Sequence, residues 1–136
     1  MEEILEENKK YQKTADELLK SSGLLDILKK YGEVHFAGAY SAGLMMHGDI
    51  DMRVVRDKEF TVEEVFEIFK ELYFAGKFRS YFISGDWDDP RKGKEFPDGC
   101  YVGIKMDLND ERWKLDIWFV SKIELERYRQ GQTYHR

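Results

Sequence analysis

The chain predicts an α/β (α+β) domain built on a small mixed sheet of about five strands flanked by helices. Three observations lead there. Helical and strand periodicities alternate through the first part of the chain, a β-hairpin pattern follows over Cys100–Val120, and the 136 residues are the length of a single domain. The expected division is N-terminal helices over 1–32, a core over 33–120, and a C-terminal helix and tail over 121–136.

Residues 2–20 predict an amphipathic helix, with Ile4, Leu5, Tyr11, Ala15, Leu18 and Leu19 on one stripe and Glu and Lys on the other face. Ser21-Ser22-Gly23 ends it. A short helix over Leu24–Lys30 is closed by Gly32. Glu33–Ala37 reads as a strand running into Gly38, Ala39–Met46 as a short helix, and Asp49–Val55 as a second strand after the break at His47-Gly48. Thr61 with Glu64 three residues on fits a capping box. It opens a helix with an expected buried stripe of Val62, Val65, Phe66, Phe69 and Leu72, ended by Gly76. Lys77–Ser84 alternates as a strand. Gly85–Gly99 holds both prolines and four aspartates and predicts a long loop. Cys100–Leu108 and Arg112–Val120 form the hairpin. In its second strand Trp113, Leu115, Ile117 and Phe119 share one face, and Lys114, Asp116, Trp118 and Val120 share the other. Ser121 caps a last helix to about Arg129.

Composition narrows the function. The formal net charge of −5 supplies no electrostatic reason to coat nucleic acid, so nucleic acid is not expected as a general partner. A single cysteine, Cys100, excludes an internal disulfide framework and a Cys-rich zinc site, and reads as a small buried apolar residue. No apolar stretch approaches the length of a bilayer span, and the N-terminus MEEILEENKK lacks a signal-peptide core, so no membrane partner and a cytoplasmic location are expected.

Chemistry gathers in His35–Val55. Asp49 and Asp51 alternate with Ile50 and Met52, so both carboxylates leave one face of their strand. Such a pair implies a cation between them, a raised pKa, or a solvated strand end. Asp116 lies in LDIWFV, an otherwise buried run, where a charge needs a partner. An ion pair with Lys114 or an arginine, or an edge open to water, is the plainer reading of Asp116 taken alone. Three carboxylates on neighbouring strands would instead form the oxygen ligand set that Mg²⁺ prefers. Gly38, at a strand-to-helix turn, would let a phosphate approach the backbone at a helix N-terminus, with Ser41 as a hydroxyl donor. Arg53 shares the aspartate face and either neutralises it or reaches a phosphate. Trp118 shares the Asp116 face and is a candidate for base stacking, ahead of Trp87. Asp107 is the rival third acid, nearer the hairpin turn. His47 beside the acids, Arg91, Lys92 and Lys94 in the loop, and Lys105 and Lys114 on the hairpin are further candidates. His35 reads as a plain strand residue and His135 as part of the tail.

Gly38-Ala39, nine intervening residues and Asp49-Ile50-Asp51-Met52 resemble the nucleotidyltransferase signature of the DNA polymerase beta superfamily, over about residues 33–120. Asp116 in KLDIWFV matches that family's third carboxylate. The resemblance implies a nucleotidyltransferase fold and a Mg²⁺-dependent transferase that moves a nucleoside monophosphate from a nucleoside triphosphate, such as ATP, to an acceptor hydroxyl or phosphate. It implies two Mg²⁺ ions, or Mn²⁺, on Asp49, Asp51 and Asp116. Asp116 would help deprotonate the attacking hydroxyl, and backbone around Gly38, Ala39 and Ser41 would cradle the phosphates. The family usually has Ser or Gly where this chain has Ala39. Many relatives also add a helical domain, so a homodimer or a helical partner protein would complete this one. Ala39 keeps a second reading open, a catalytically inactive nucleotide-binding or partner-binding module of the same fold. A toxin–antitoxin component is a third.

Overall fold

The computed structural model describes residues 2–37, 48–76, 78–85, 99–108 and 111–126. Its elements are α1 (Glu2–Ser21), α2 (Leu24–Lys29), β1 (Glu33–Ala37), β2 (Asp49–Arg56), α3 (Val62–Gly76), β3 (Ser80–Ser84), β4 (Cys100–Leu108) and β5 (Glu111–Ser121). Residues 122–126 are helical. The expected short helix at Ala39–Met46 and the interior of the expected loop at 86–98 lie outside the described residues.

Local chemistry accounts for the helix ends. Gly23 takes a left-handed φ of 79° between α1 and α2, a conformation that costs a residue with a side chain. The capping box forms as expected at α3. The Glu64 N–H donates to Thr61 Oγ1 at 3.1 Å, and the Thr61 N–H donates to Glu64 Oε1 at 3.4 Å. Arg56 holds Glu64 from the other side at 2.7 Å and lies over the Phe60 ring, 3.8 Å from its centroid.

The five strands form one mixed sheet in the order β1-β2-β5-β4-β3. β1 and β2 are antiparallel, β2 and β5 parallel, and β5-β4-β3 antiparallel. The last strand in sequence is therefore the middle strand of the sheet. That position explains its near-continuous apolar run.

One face of the sheet is roofed by helices. Ile50, Met52, Val54, Leu115, Ile117 and Phe119 are fully buried there against Leu18, Leu24, Leu28, Val65, Ile68 and Leu72. Each such side chain contributes roughly 1.5–3 kcal/mol by leaving water. The opposite face is open. Among the described residues its buried apolar content is a small cluster of Val55, Trp118, Val120 and Leu125, with Tyr101 against it.

Two details depart from expectation. α3 buries Val65, Ile68 and Leu72, whereas Val62 and Phe66 are 37% and 53% exposed. This helix is apolar on several sides, and the sheet selects the stripe at spacings of three and four that fits it. β3 starts at Ser80 rather than Lys77. Phe78 is buried ahead of it, while Tyr81 and Phe82 are exposed on what is an edge strand. Among the described residues no helix is long and apolar enough to cross a membrane.

Candidate active site on the open face of the sheet

Strand alternation delivers the acids to the open face. Ile50 and Met52 point into the core, so Asp49, Asp51 and Arg53 point away from it. On β5, Trp113, Leu115, Ile117 and Phe119 are fully buried, which turns Lys114, Asp116 and Trp118 outward. The parallel register then sets Asp49 opposite Lys114, Asp51 opposite Asp116, and Arg53 opposite Trp118. Two carboxylates far apart in sequence thus become direct neighbours on strands roughly 4.8 Å apart.

Asp51 is half-buried, and its Oδ1 is buried without a hydrogen-bond partner among the described residues. Burial raises its pKa above the ordinary carboxylate value. Arg53 opposes that rise, the charge of Asp116 adds to it, and the Trp118 indole N–H and Lys114 oppose it. The net effect is a carboxylate that lacks a full set of partners for its charge.

Asp116 is held differently. The Tyr101 hydroxyl donates to its Oδ1, and Lys114 Nζ stands 3.7 Å from the same oxygen. Burial, followed by the bond to Asp116 and the charges of both aspartates, raises the Tyr101 pKa, so the phenol stays protonated and remains a donor. Its ring packs on Trp118 with centroids 4.7 Å apart. Tyr101 reaches Asp116 by lying over Gly103, the β4 residue paired with Asp116. A Cβ at position 103 would fall 2.6 Å from the tyrosine oxygen. Gly103 is thus the gap through which the phenol meets the acid. Neither Tyr101 nor Gly103 figures among the candidates read from sequence.

The remaining candidates separate clearly. Asp49 is exposed at the start of β2, on the same face. Arg53 acts on Asp51 from the next outward position. Trp118 is only 8% exposed, with its indole turned to Asp51 and its ring against Tyr101. Asp107 lies away from the acid pair, where Arg79 at 2.5 Å and Arg112 at 3.8 Å hold it. His35 is an exposed β1 residue 3.4 Å from Glu33. Lys105 and Lys114 do face the open side, as direct cross-strand partners. Gly38, Ala39, Ser41, His47, Trp87, Arg91, Lys92, Lys94 and His135 lie outside the described residues. Ala37, the residue joined to Gly38, pairs with Asp51.

A divalent cation suits part of this site. The donors are hard oxygens, Asp51 Oδ1 has no described partner, and a cation would relieve both the burial and the repulsion that raise the Asp51 pKa. Among the described residues no three His, Cys, Asp or Glu side chains yet converge as a ligand group. The pair Asp51–Asp116 is the nucleus, and Asp49 is the acid available to extend it. No protein-family model matches this chain, and neither does any curated protein.

Proposed function

We propose that this cytoplasmic protein is a Mg²⁺-dependent nucleotidyltransferase, which moves a nucleoside monophosphate from a nucleoside triphosphate to an acceptor and releases pyrophosphate. The observation that carries the reading is the parallel pairing of β2 with β5, which makes Asp51 and Asp116 neighbours on the open face while Asp51 Oδ1 lacks a described partner. Asp49, Asp51 and Asp116 would hold the metal. Bound there, Mg²⁺ would supply positive charge for the phosphoryl oxygens and lower the pKa of an attacking hydroxyl. Arg53 and Lys114 balance the acids and orient anionic groups around them. Trp118 fixes the Asp51 carboxyl, and Tyr101 fixes that of Asp116. Gly38, Ala39 and Ser41, which follow the strand position opposite Asp51, are the proposed phosphate cradle.

The test is a pyrophosphate-release assay with labelled triphosphates, Mg²⁺ and a panel of acceptors. The expected result is metal-dependent release that falls about a hundredfold or more in Asp51→Asn and in Asp116→Asn, both still folded. Release that is unchanged in both variants refutes the site. A second reading, an inactive nucleotide- or partner-binding module, draws on Ala39 and on the Tyr101 bond that occupies an Asp116 oxygen. It predicts triphosphate binding by calorimetry with no pyrophosphate released.

A further inference from the structure

Next to the acid pair the same face carries a trough of opposite charge. Lys105 on β4 and Lys114 on β5 are exposed and directly paired across the strands. Like charges set opposite each other destabilise a sheet, so their juxtaposition calls for an anion. Lys114 leans toward Asp116 at 3.7 Å, while Lys105 has no ion-pair partner among the described residues. A cavity of 310 Å³ opens between Lys105 and the Arg79–Asp107–Arg112 group. These cations gather on one face of a chain whose net charge is −5.

The trough also has an aromatic wall. Gly103 has no side chain, and in the register it separates Phe82 on one side from Asp116 on the other. A second cavity, of 170 Å³, lies over this gap, with Lys105 and Lys114 among its lining residues together with Phe82 and Tyr101. Phe82 is 60% exposed, with its ring centroid 6.1 Å from that of Tyr101. An exposed flat ring and a lysine pair thus flank one small cavity, with Lys114 standing between it and Asp116.

We propose that this trough binds a phosphorylated ring compound of the nucleotide class. Its flat ring stacks on Phe82, and its phosphate bridges Lys105 and Lys114. Calling the trough the acceptor subsite rests on the transferase reading above; binding of the anion does not. The lysine pair would repel a polycationic acceptor.

The test is calorimetric titration of the full chain in EDTA, without metal or triphosphate, using a nucleoside 5′-monophosphate, its parent nucleoside and a 5′-phosphorylated dinucleotide. The monophosphate is expected to bind at least about tenfold more tightly than the nucleoside. Lys105→Gln/Lys114→Gln should remove that difference, Phe82→Ala should weaken both ligands, and Asp51→Asn should leave the monophosphate as tight or tighter. All of these side chains except Asp51 are exposed, so the variants keep the fold, and melting curves confirm it. Tighter binding of the dinucleotide than of the monophosphate would point to an oligonucleotide end as the natural source of the phosphate, and equal binding to a free nucleotide. Equal affinity for monophosphate and nucleoside would overturn the proposal. So would unchanged binding in the double lysine variant, or loss of binding in Asp51→Asn. Because metal and triphosphate are absent, failure of the pyrophosphate assay is a separate outcome.

Discussion

Substituting Gly103 by Ala should act almost entirely through one distant atom, the Tyr101 hydroxyl. The added Cβ would lie 2.6 Å from that oxygen, against 3.1 Å from Cζ and 3.2 Å from Cε1 of the same ring. The phenol must swing away, and its hydrogen bond to the Asp116 carboxylate is lost. A hydrogen bond to a charged group contributes about 1.5–3 kcal/mol, and replacing glycine in a strand returns about 0.5–1 kcal/mol. Gly103→Ala is therefore expected to cost about 1–2 kcal/mol. Tyr101→Phe removes the same bond and should cost a similar amount. Once Tyr101→Phe has removed the hydroxyl, the new methyl group at position 103 meets only ring carbons that can yield by a few tenths of an ångström. In that background the alanine should cost nothing or stabilise slightly. Urea unfolding of the four proteins, with equal m-values, measures the cycle. A coupling of about 1–2 kcal/mol is expected. If the two single costs add to within about 0.5 kcal/mol, Gly103 does not position the phenol and this account of the site fails.

Other outcomes follow from the same contacts. Because burial raises the Asp51 pKa above 3.8, ionising this carboxyl opposes folding; the penalty is absent below the ordinary value and grows as pH rises through the folded one. Asp51→Asn should thus be more stable than the native chain at neutral pH, on the order of 1 kcal/mol or about 2–5 °C in Tm, and the advantage should vanish in acid. Scanning calorimetry at several pH values would reveal an advantage that instead grows in acid, which contradicts the assignment. Thr61→Ala should cost about 1 kcal/mol by opening the α3 capping box. The Glu64 pKa is lowered first by its bond to Arg56, so its contribution is present above 4.5 and is lost as pH falls through the folded value. Glu64→Gln should accordingly flatten the acid limb of the stability profile, and an unchanged limb would argue against the pair.

Much of the fold was legible because its signals are local. Trp113 to Val120 alternates cleanly enough to assign both faces of β5, and Asp116 stands out because a charge interrupts an apolar run. The Thr61–Glu64 spacing identified the start of α3. What failed or escaped notice depends on partners. α3 has apolar residues around most of its circumference, and only the sheet decides that Ile68 goes in and Phe66 stays out. Tyr101 and Gly103 carried a faint signal, an isolated glycine between Val102 and Ile104 inside a strand. The meaning of that glycine rests on the register with Asp116, which neither strand encodes by itself. The direct pairing of Lys105 with Lys114 was hidden for the same reason.

The central place of β5 also has a kinetic consequence. β1–β2 and the β3–β4–β5 meander each pair antiparallel between strands consecutive in the chain, but β5 must also meet β2 across a long parallel crossover. Such non-local pairing is slow. Until it happens, β2 and β5 each keep a bare edge. A chain emerging from the ribosome therefore makes both halves of its sheet before it has any acid pair. Asp51 and Asp116 become neighbours only in the step that completes the fold, so partly folded molecules have no assembled site and present their most adhesive edges.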